Sequence, residues 1–205
     1  MARHQLTIMK MFALAAVSAT ALATANTAVA SAEPVMTPCR SQQQSVQEQL
    51  TECPLLEFAT PDGRGSFYTI YRDEADSAGE MGFTEKPDAA AAGIRLSPSQ
   101  QPGMVPLYRL RFRGDHMAYL VTSSAAERAS LSGRQFQYEG VMAYVYSPDQ
   151  PQPAGTMKLC RYSKDGDWRL ARESRGDLLL AGYRDECAST ADGGPGAPQG
   201  YVPAG

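Results

Sequence analysis

The chain has 205 residues, with 19 Lys and Arg against 22 Asp and Glu, and the two signs are interspersed along it. That balance excludes the basic stripe on which nucleic-acid binding depends. His4 and His116 are the two histidines, and neither a His-Glu-x-x-His nor a Cys-x-x-Cys spacing occurs, so the sequence offers no recognisable metal site and calls for no cofactor.

Residues 1–32 read as a secretory signal peptide. Arg3, His4 and Lys10 form a basic start and Met11 to Ala25 an apolar, Ala-rich run; Ala28-Val29-Ala30 and Ala30-Ser31-Ala32 are overlapping small-x-small cleavage sites. The run is shorter than the ~20 residues a membrane span needs and is diluted by Ser and Thr. No later stretch approaches that length, so no membrane span is expected. The expected location is extracellular, or periplasmic if the source has an outer membrane. Cleavage after Ala32 removes Arg3 and Lys10 and takes the formal net charge from −3 to about −5. Four cysteines in an exported chain predict two disulfides.

Residues 33–52 form a Gln-rich segment with helical character over Ser41 to Thr51. From there a motif recurs at steps of 52 residues: Cys53-Pro54-Leu55-Leu56-Glu57-Phe58, Val105-Pro106-Leu107-Tyr108-Arg109-Leu110 and Met157-Lys158-Leu159-Cys160-Arg161-Tyr162. Three copies, 53–104, 105–156 and 157–190, are therefore read within residues 53–190. Each reads strand, turn, strand, short helix, strand. Tyr108, Leu110 and Phe112 alternate with Arg109, Arg111 and Arg113, a period that places one face inward and the other in water. Turns follow at Pro61-Asp62-Gly63, Arg113-Gly114-Asp115 and Asp165-Gly166. Ser124-Ala125-Ala126-Glu127 has capping-box spacing, in which the Glu reaches back to the cap. Gly133 and Gly182 are predicted helix stops.

A lone unit of this size cannot bury its apolar face. The predicted fold is thus mainly β with short helices, three strand-turn-strand-helix-strand repeats in a compact pseudo-threefold domain. Residues 191–205, rich in Gly, Pro and Ala, are predicted to be a disordered tail. Two Arg-Gly-Asp triplets, at 113–115 and 175–177, are attributed to turn and helix chemistry rather than to cell adhesion.

The second copy, with Gly114-Asp115-His116, Thr122-Ser123-Ser124-Ala125-Ala126-Glu127-Arg128 and Tyr138-Glu139-Gly140-Val141, resembles a bacterial and fungal secreted repeat of unknown function. Its hallmark is a Gly-Asp-His-Phe-Tyr-Thr segment. The first and third copies are degenerate, with Gly65-Ser66-Phe67-Tyr68-Thr69 and Gly166-Asp167-Trp168, and Met117-Ala118-Tyr119 departs from the hallmark even in the second. Members occur as secreted proteins and as modules attached to extracellular hydrolases, which implies binding rather than catalysis.

The residues themselves point the same way. No Gly-x-Ser-x-Gly elbow presents a serine, so no catalytic residue is assigned and the hydrolase reading ranks last. Tyr108, Arg109, Asp115, His116, Tyr119 and Trp168 are the candidate ligand contacts. His116 has a second reading, as an imidazole tied to Asp115 or a carbonyl that holds the hairpin in register. Trp168 has one as well, filling core instead of stacking on a sugar. Inward register favours a Cys160–Cys187 disulfide, leaving Cys39–Cys53. A straight helix over 41–51 would hold its ends ~15 Å apart, beyond the ~7 Å limit for a bridge, so pairs between the N-terminal region and the third copy stay open. The expected function is a secreted, non-enzymatic binding module for an extracellular glycan or cell-wall polymer. A protein-interaction or inhibitor protein is the alternative.

Overall fold

The computed structural model describes residues 52–86, 91–188 and 196–204. Residues 1–51, on which the expected signal peptide, most of the Gln-rich segment and Cys39 fall, lie outside them. The domain is mainly β, with short helices.

After a short strand β1 (Cys53–Pro54), the first set comprises β2 (Leu56–Ala59), β3 (Ser66–Thr69), α1 (Arg72–Glu80) and β4 (Thr84–Glu85), followed by β5 (Arg95–Leu96). The second comprises β6 (Met104–Phe112), β7 (Tyr119–Thr122), α2 (Ala125–Leu131) and β8 (Phe136–Tyr146). The third comprises β9 (Thr156–Lys164), β10 (Asp167–Arg172), α3 (Gly176–Leu180) and β11 (Arg184–Asp185), and β12 (Gly200–Pro203) ends the described chain. In each set the first strand pairs antiparallel with the second and with the strand after the helix. β3, β7 and β10 also meet one another at the centre.

The sets join unequally. β2, β3 and β4 form their own sheet, whereas the second and third share a larger one in the order β10-β9-β12-β8-β6-β7, with β11 on β9. β12 corrects the expectation for the tail. Residues 200–203 pair with β9 from Gly200↔Leu159 to Pro203↔Thr156 and with β8 at Tyr201↔Tyr146. The composition predicted disorder because it lacks periodicity, yet a strand lying between two others needs only backbone groups and one apolar anchor. Val202, 1% exposed, supplies it, and Gly200 adopts a positive φ of 149° against Val145, where a side chain would collide.

The main core draws on all three sets, with Tyr68, Ile70, Leu107, Val121, Leu159 and Leu170 among its members. Tyr68 is fully buried and its hydroxyl accepts a hydrogen bond from the Leu170 amide at 3.0 Å. Burial pushes its phenol well above the usual range.

The predicted helix stops hold: Gly133 and Gly182 take φ of 80° and 86° just beyond α2 and α3. The capping box is half made. Ser124 Oγ accepts from the Glu127 amide at 3.1 Å, but the Glu127 carboxylate turns to Arg161 instead of back to the cap. The alternation along β6 also needs correction, because Arg109 is covered rather than in water, its side chain only 12% exposed. Helix α1 of the first set lies over that face and supplies its carboxylate partner, Glu74.

The Cys160–Cys187 disulfide is present, with Cα atoms 5.4 Å apart. Cys53 is also disulfide-bonded; its expected partner Cys39 lies outside the described residues. No helix among the described residues is long and apolar enough to cross a membrane.

Candidate functional site

Three ion clusters occupy matching places in the three sets. Glu57, Arg109 and Arg161 each stand fifth in the six-residue motif that recurs every 52 residues, on β2, β6 and β9. Each takes one partner from its own set. Lys86 lies 3.6 Å from Glu57, Glu139 binds Arg109 Nε at 2.9 Å, and Glu186 binds Arg161 Nε at 2.6 Å. The other partner comes from the preceding set in cyclic order. Arg169 Nε donates to Glu57 at 3.0 Å, Arg109 Nη1 to Glu74 at 3.0 Å, and Arg161 grips Glu127 through two bonds of 2.9 and 2.8 Å. The first set carries a related cluster with the signs exchanged, its cross-set partner Arg169 coming from strand β10 where Glu74 and Glu127 come from helices.

Local backbone geometry makes these contacts. Opposite β6, Arg109 pairs with Gly140 and Leu110 with Tyr138, so Glu139 is the extra residue of a β-bulge, and the bulge turns its carboxylate onto Arg109. Burial disfavours charge on Glu127, but the hydrogen bonds and charge of Arg161 outweigh it and hold the carboxyl below its ordinary range. Glu74 is lowered in the same way by Arg109.

Around Arg161 the second and third sets part to leave an open cleft of about 1020 Å³. Its walls include Trp168 of β10, Phe136 of β8, Ser123 and Ser130 beside and within α2, and Gln199 just before β12. Trp168 is half-buried, propped edge-on by Phe112 at 5.7 Å and Phe136 at 5.3 Å between centroids. Gln199 is 8% exposed, and its Oε1 accepts from the Ser123 amide at 3.1 Å. No protein hydrogen bond reaches its Nε2 among the described residues, which leaves two amide donors beside the cleft. The site thus combines an aromatic body with a fixed, unused polar group, the usual make-up of a small-molecule site.

Of the six residues singled out from sequence, Trp168 lines this cleft. Tyr108 stacks edge-on to Tyr138 with the Arg128 guanidinium 4.5 Å above its ring. Arg109 is held in its ion cluster over Phe67. Tyr119, 7% exposed, packs against Phe67 at 5.0 Å and Phe83 at 6.4 Å. Asp115 and His116 join the three turns: Arg64 Nη2 reaches Asp115 at 2.8 Å, His116 Nδ1 lies 2.9 Å from Asp115, and His116 Nε2 lies 3.1 Å from the Gly166 carbonyl. A carboxylate and a carbonyl only accept, so both bonds form together only with the doubly protonated ring. The imidazole side chain is 4% exposed, and its partners are those of a clasp between hairpins. Asp115, by its bonds to His116 and then Arg64, is held down to about 2.

Arg161 and Gln199 escaped sequence reading as site residues, and Glu127 entered it only as a helix cap. The 52-residue register contained a signal for Arg161, aligned with Arg109, but none for its partner from another set, and the tail that carries Gln199 has none. Asp185 lies beside Cys160 and Cys187, but those sulfurs are joined to each other. In the second Arg-Gly-Asp triplet, Arg175 Nε donates to Asp177 at 2.7 Å, closing the triplet on itself.

The fold and cleft define a β-rich, disulfide-containing domain with an aromatic, polar-edged groove between two sets of strands. Residues 39–188 fit the domain of unknown function DUF5648, a span that ends before Gln199 and β12, and the chain belongs to that family. No curated protein and no solved structure matches the chain significantly.

Proposed function

We propose that the protein is an exported, non-catalytic binding module that takes an extracellular glycan in the cleft between the second and third sets. The carrying observation is the half-buried Trp168 placed with the Gln199 amide, whose donors have no protein partner among the described residues. A sugar ring presents an apolar face for stacking and hydroxyls that such donors bind.

Catalysis of glycoside hydrolysis has less support. A general acid needs a raised pKa, whereas Glu127 is lowered and shares Arg161 with Glu186. The Cys160–Cys187 disulfide and the three zones of residues 1–32 support export. The pseudo-threefold reading draws support from the cyclic order of the ion clusters, and the resemblance of the second set to the Gly-Asp-His-Phe-Tyr-Thr repeat is compatible with a binding role.

The test is a polysaccharide and glycan binding screen on the exported protein alongside Trp168→Ala, with melting temperatures measured for both. Binding by the wild type that Trp168→Ala loses while still folded is expected. Binding that survives in the folded variant would place the site elsewhere.

A further inference from the structure

We infer that the cleft takes an uncharged oligosaccharide of more than one sugar unit, not an anionic or cationic polymer; this rests on the binding function proposed above. Two cations line the cleft, one buried and committed to carboxylates and the other exposed to solvent. Arg161 is 7% exposed and spent on Glu127 and Glu186. Arg184 donates to Ser163 Oγ at 3.0 Å and lies 3.6 Å from Glu186, but its side chain is 43% exposed, so it is a solvated charge at the rim. Recognition of a uronate, sulfate or phosphate polymer rests on Arg or Lys groups that meet the anion with bidentate or point-charge contacts. Here such an anion would meet one buried, satisfied guanidinium with its carboxylates and the single solvated Arg184 beside Glu186, a weak attraction in salt.

The acidic side is equally committed. Glu127 and Glu186 are each ion-paired, and Asp149, exposed on the rim, is the one lining carboxylate without an ion pair among the described residues. A single solvated carboxylate is a weak attraction for a cation in salt. What remains for a ligand is neutral: the Trp168 ring, the Gln199 amide donors and the hydroxyls of Ser123 and Ser130. The Ser130 hydroxyl donates to the Glu127 carbonyl at 3.0 Å, which still leaves it able to accept. The volume, about 1020 Å³, stands at the upper end of the ~300–1,000 Å³ typical of ligand sites, room for several linked rings.

Trp168 is the only tryptophan, so its fluorescence reports occupancy of this cleft directly. The full chain is titrated with N-acetylglucosamine and cello-oligosaccharides of increasing length, and with oligogalacturonates and chitosan oligomers of matched length, at low and high salt. The expected result is a saturable emission change with a neutral series, tighter for the trimer than for the single sugar, and insensitive to salt. Gln199→Glu keeps the acceptor for the Ser123 amide but removes the two donors, and is expected to weaken that binding about tenfold or more. The comparison of charged with neutral series holds whether or not this variant folds. Tighter binding of oligogalacturonate or chitosan oligomers than of neutral chains, or binding abolished by salt, would overturn the inference and leave a binding module standing. Silence of Trp168 towards every series would remove the cleft as a glycan site, and the inference with it.

Discussion

The junction between the first and second sets and the junction between the second and third are built on similar ion clusters, but their surroundings differ, and the second opens into a cleft. At the first, Arg109 lies over Phe67, and Phe67, Phe83 and Tyr119 fill the space beside it. At the second, Arg161 faces Ser123, Gln199 and the half-buried Trp168. A buried guanidinium held by two carboxylates is a structural device in both places. What differs is whether the surrounding side chains are large and apolar or small and polar, so the space for a ligand comes from the neighbours of the cluster and not from its charges.

Breaking the clusters should produce the largest effects. Arg109→Met and Arg161→Met each strand two carboxylates, and removing one side of a buried pair costs about 3–5 kcal/mol. At roughly 2–4 °C per kcal/mol for a domain of this size, both variants should melt many degrees below wild type in a thermal scan. Equal losses would show that the clusters do the same work at both junctions. A loss at Arg109 alone would mean that the cleft side contributes little to stability.

Next comes the disulfide that pins β9 to the segment after β11. Cys160→Ala with Cys187→Ala opens a link spanning 27 residues of separation, which chain entropy values at about 3–4 kcal/mol. Chemical denaturation should show that loss. Because Glu186 adjoins Cys187, ligand binding at the cleft should weaken more than binding-independent contacts of Arg109.

A smaller effect is expected where the tail enters the sheet. Val202→Ala removes a buried anchor between β8 and β9 and should cost about 1–2 kcal/mol in denaturant unfolding. Loss of binding together with this modest destabilisation would tie the cleft wall at Gln199 to the seating of β12. No change in either would show that backbone pairing alone holds the strand.

The smallest effect concerns the turn clasp and separates it from the cleft. Asp115 faces His116 and Arg64, and its folded pKa, about 2, lies below the ordinary 3.8. A depressed carboxylate stabilises the fold above the ordinary value and loses that contribution as pH falls through the folded one. The melting-temperature difference between wild type and Asp115→Asn should therefore be constant above about pH 5 and shrink towards pH 2. His116→Ala should lower the melting temperature and leave ligand binding by the folded protein intact. Lost binding at unchanged stability would move the site to the hairpin.

The alternation in Tyr108-Arg109-Leu110, the turn residues and the Gly133 and Gly182 stops specified strands and short helices because these are local preferences, set by side-chain period and backbone freedom. The Cys160–Cys187 pair followed from the same inward register. Sequence by itself could not bring Glu74 to Arg109 or Glu127 to Arg161, since those contacts join residues of different sets and depend on how the sets are packed. It could not assign the tail either, because β12 is a strand only where β8 and β9 offer it unpaired backbone. The cleft is a product of that packing: Trp168, Ser123 and Gln199 are far apart in the chain, and only tertiary structure decided that they share one wall of space.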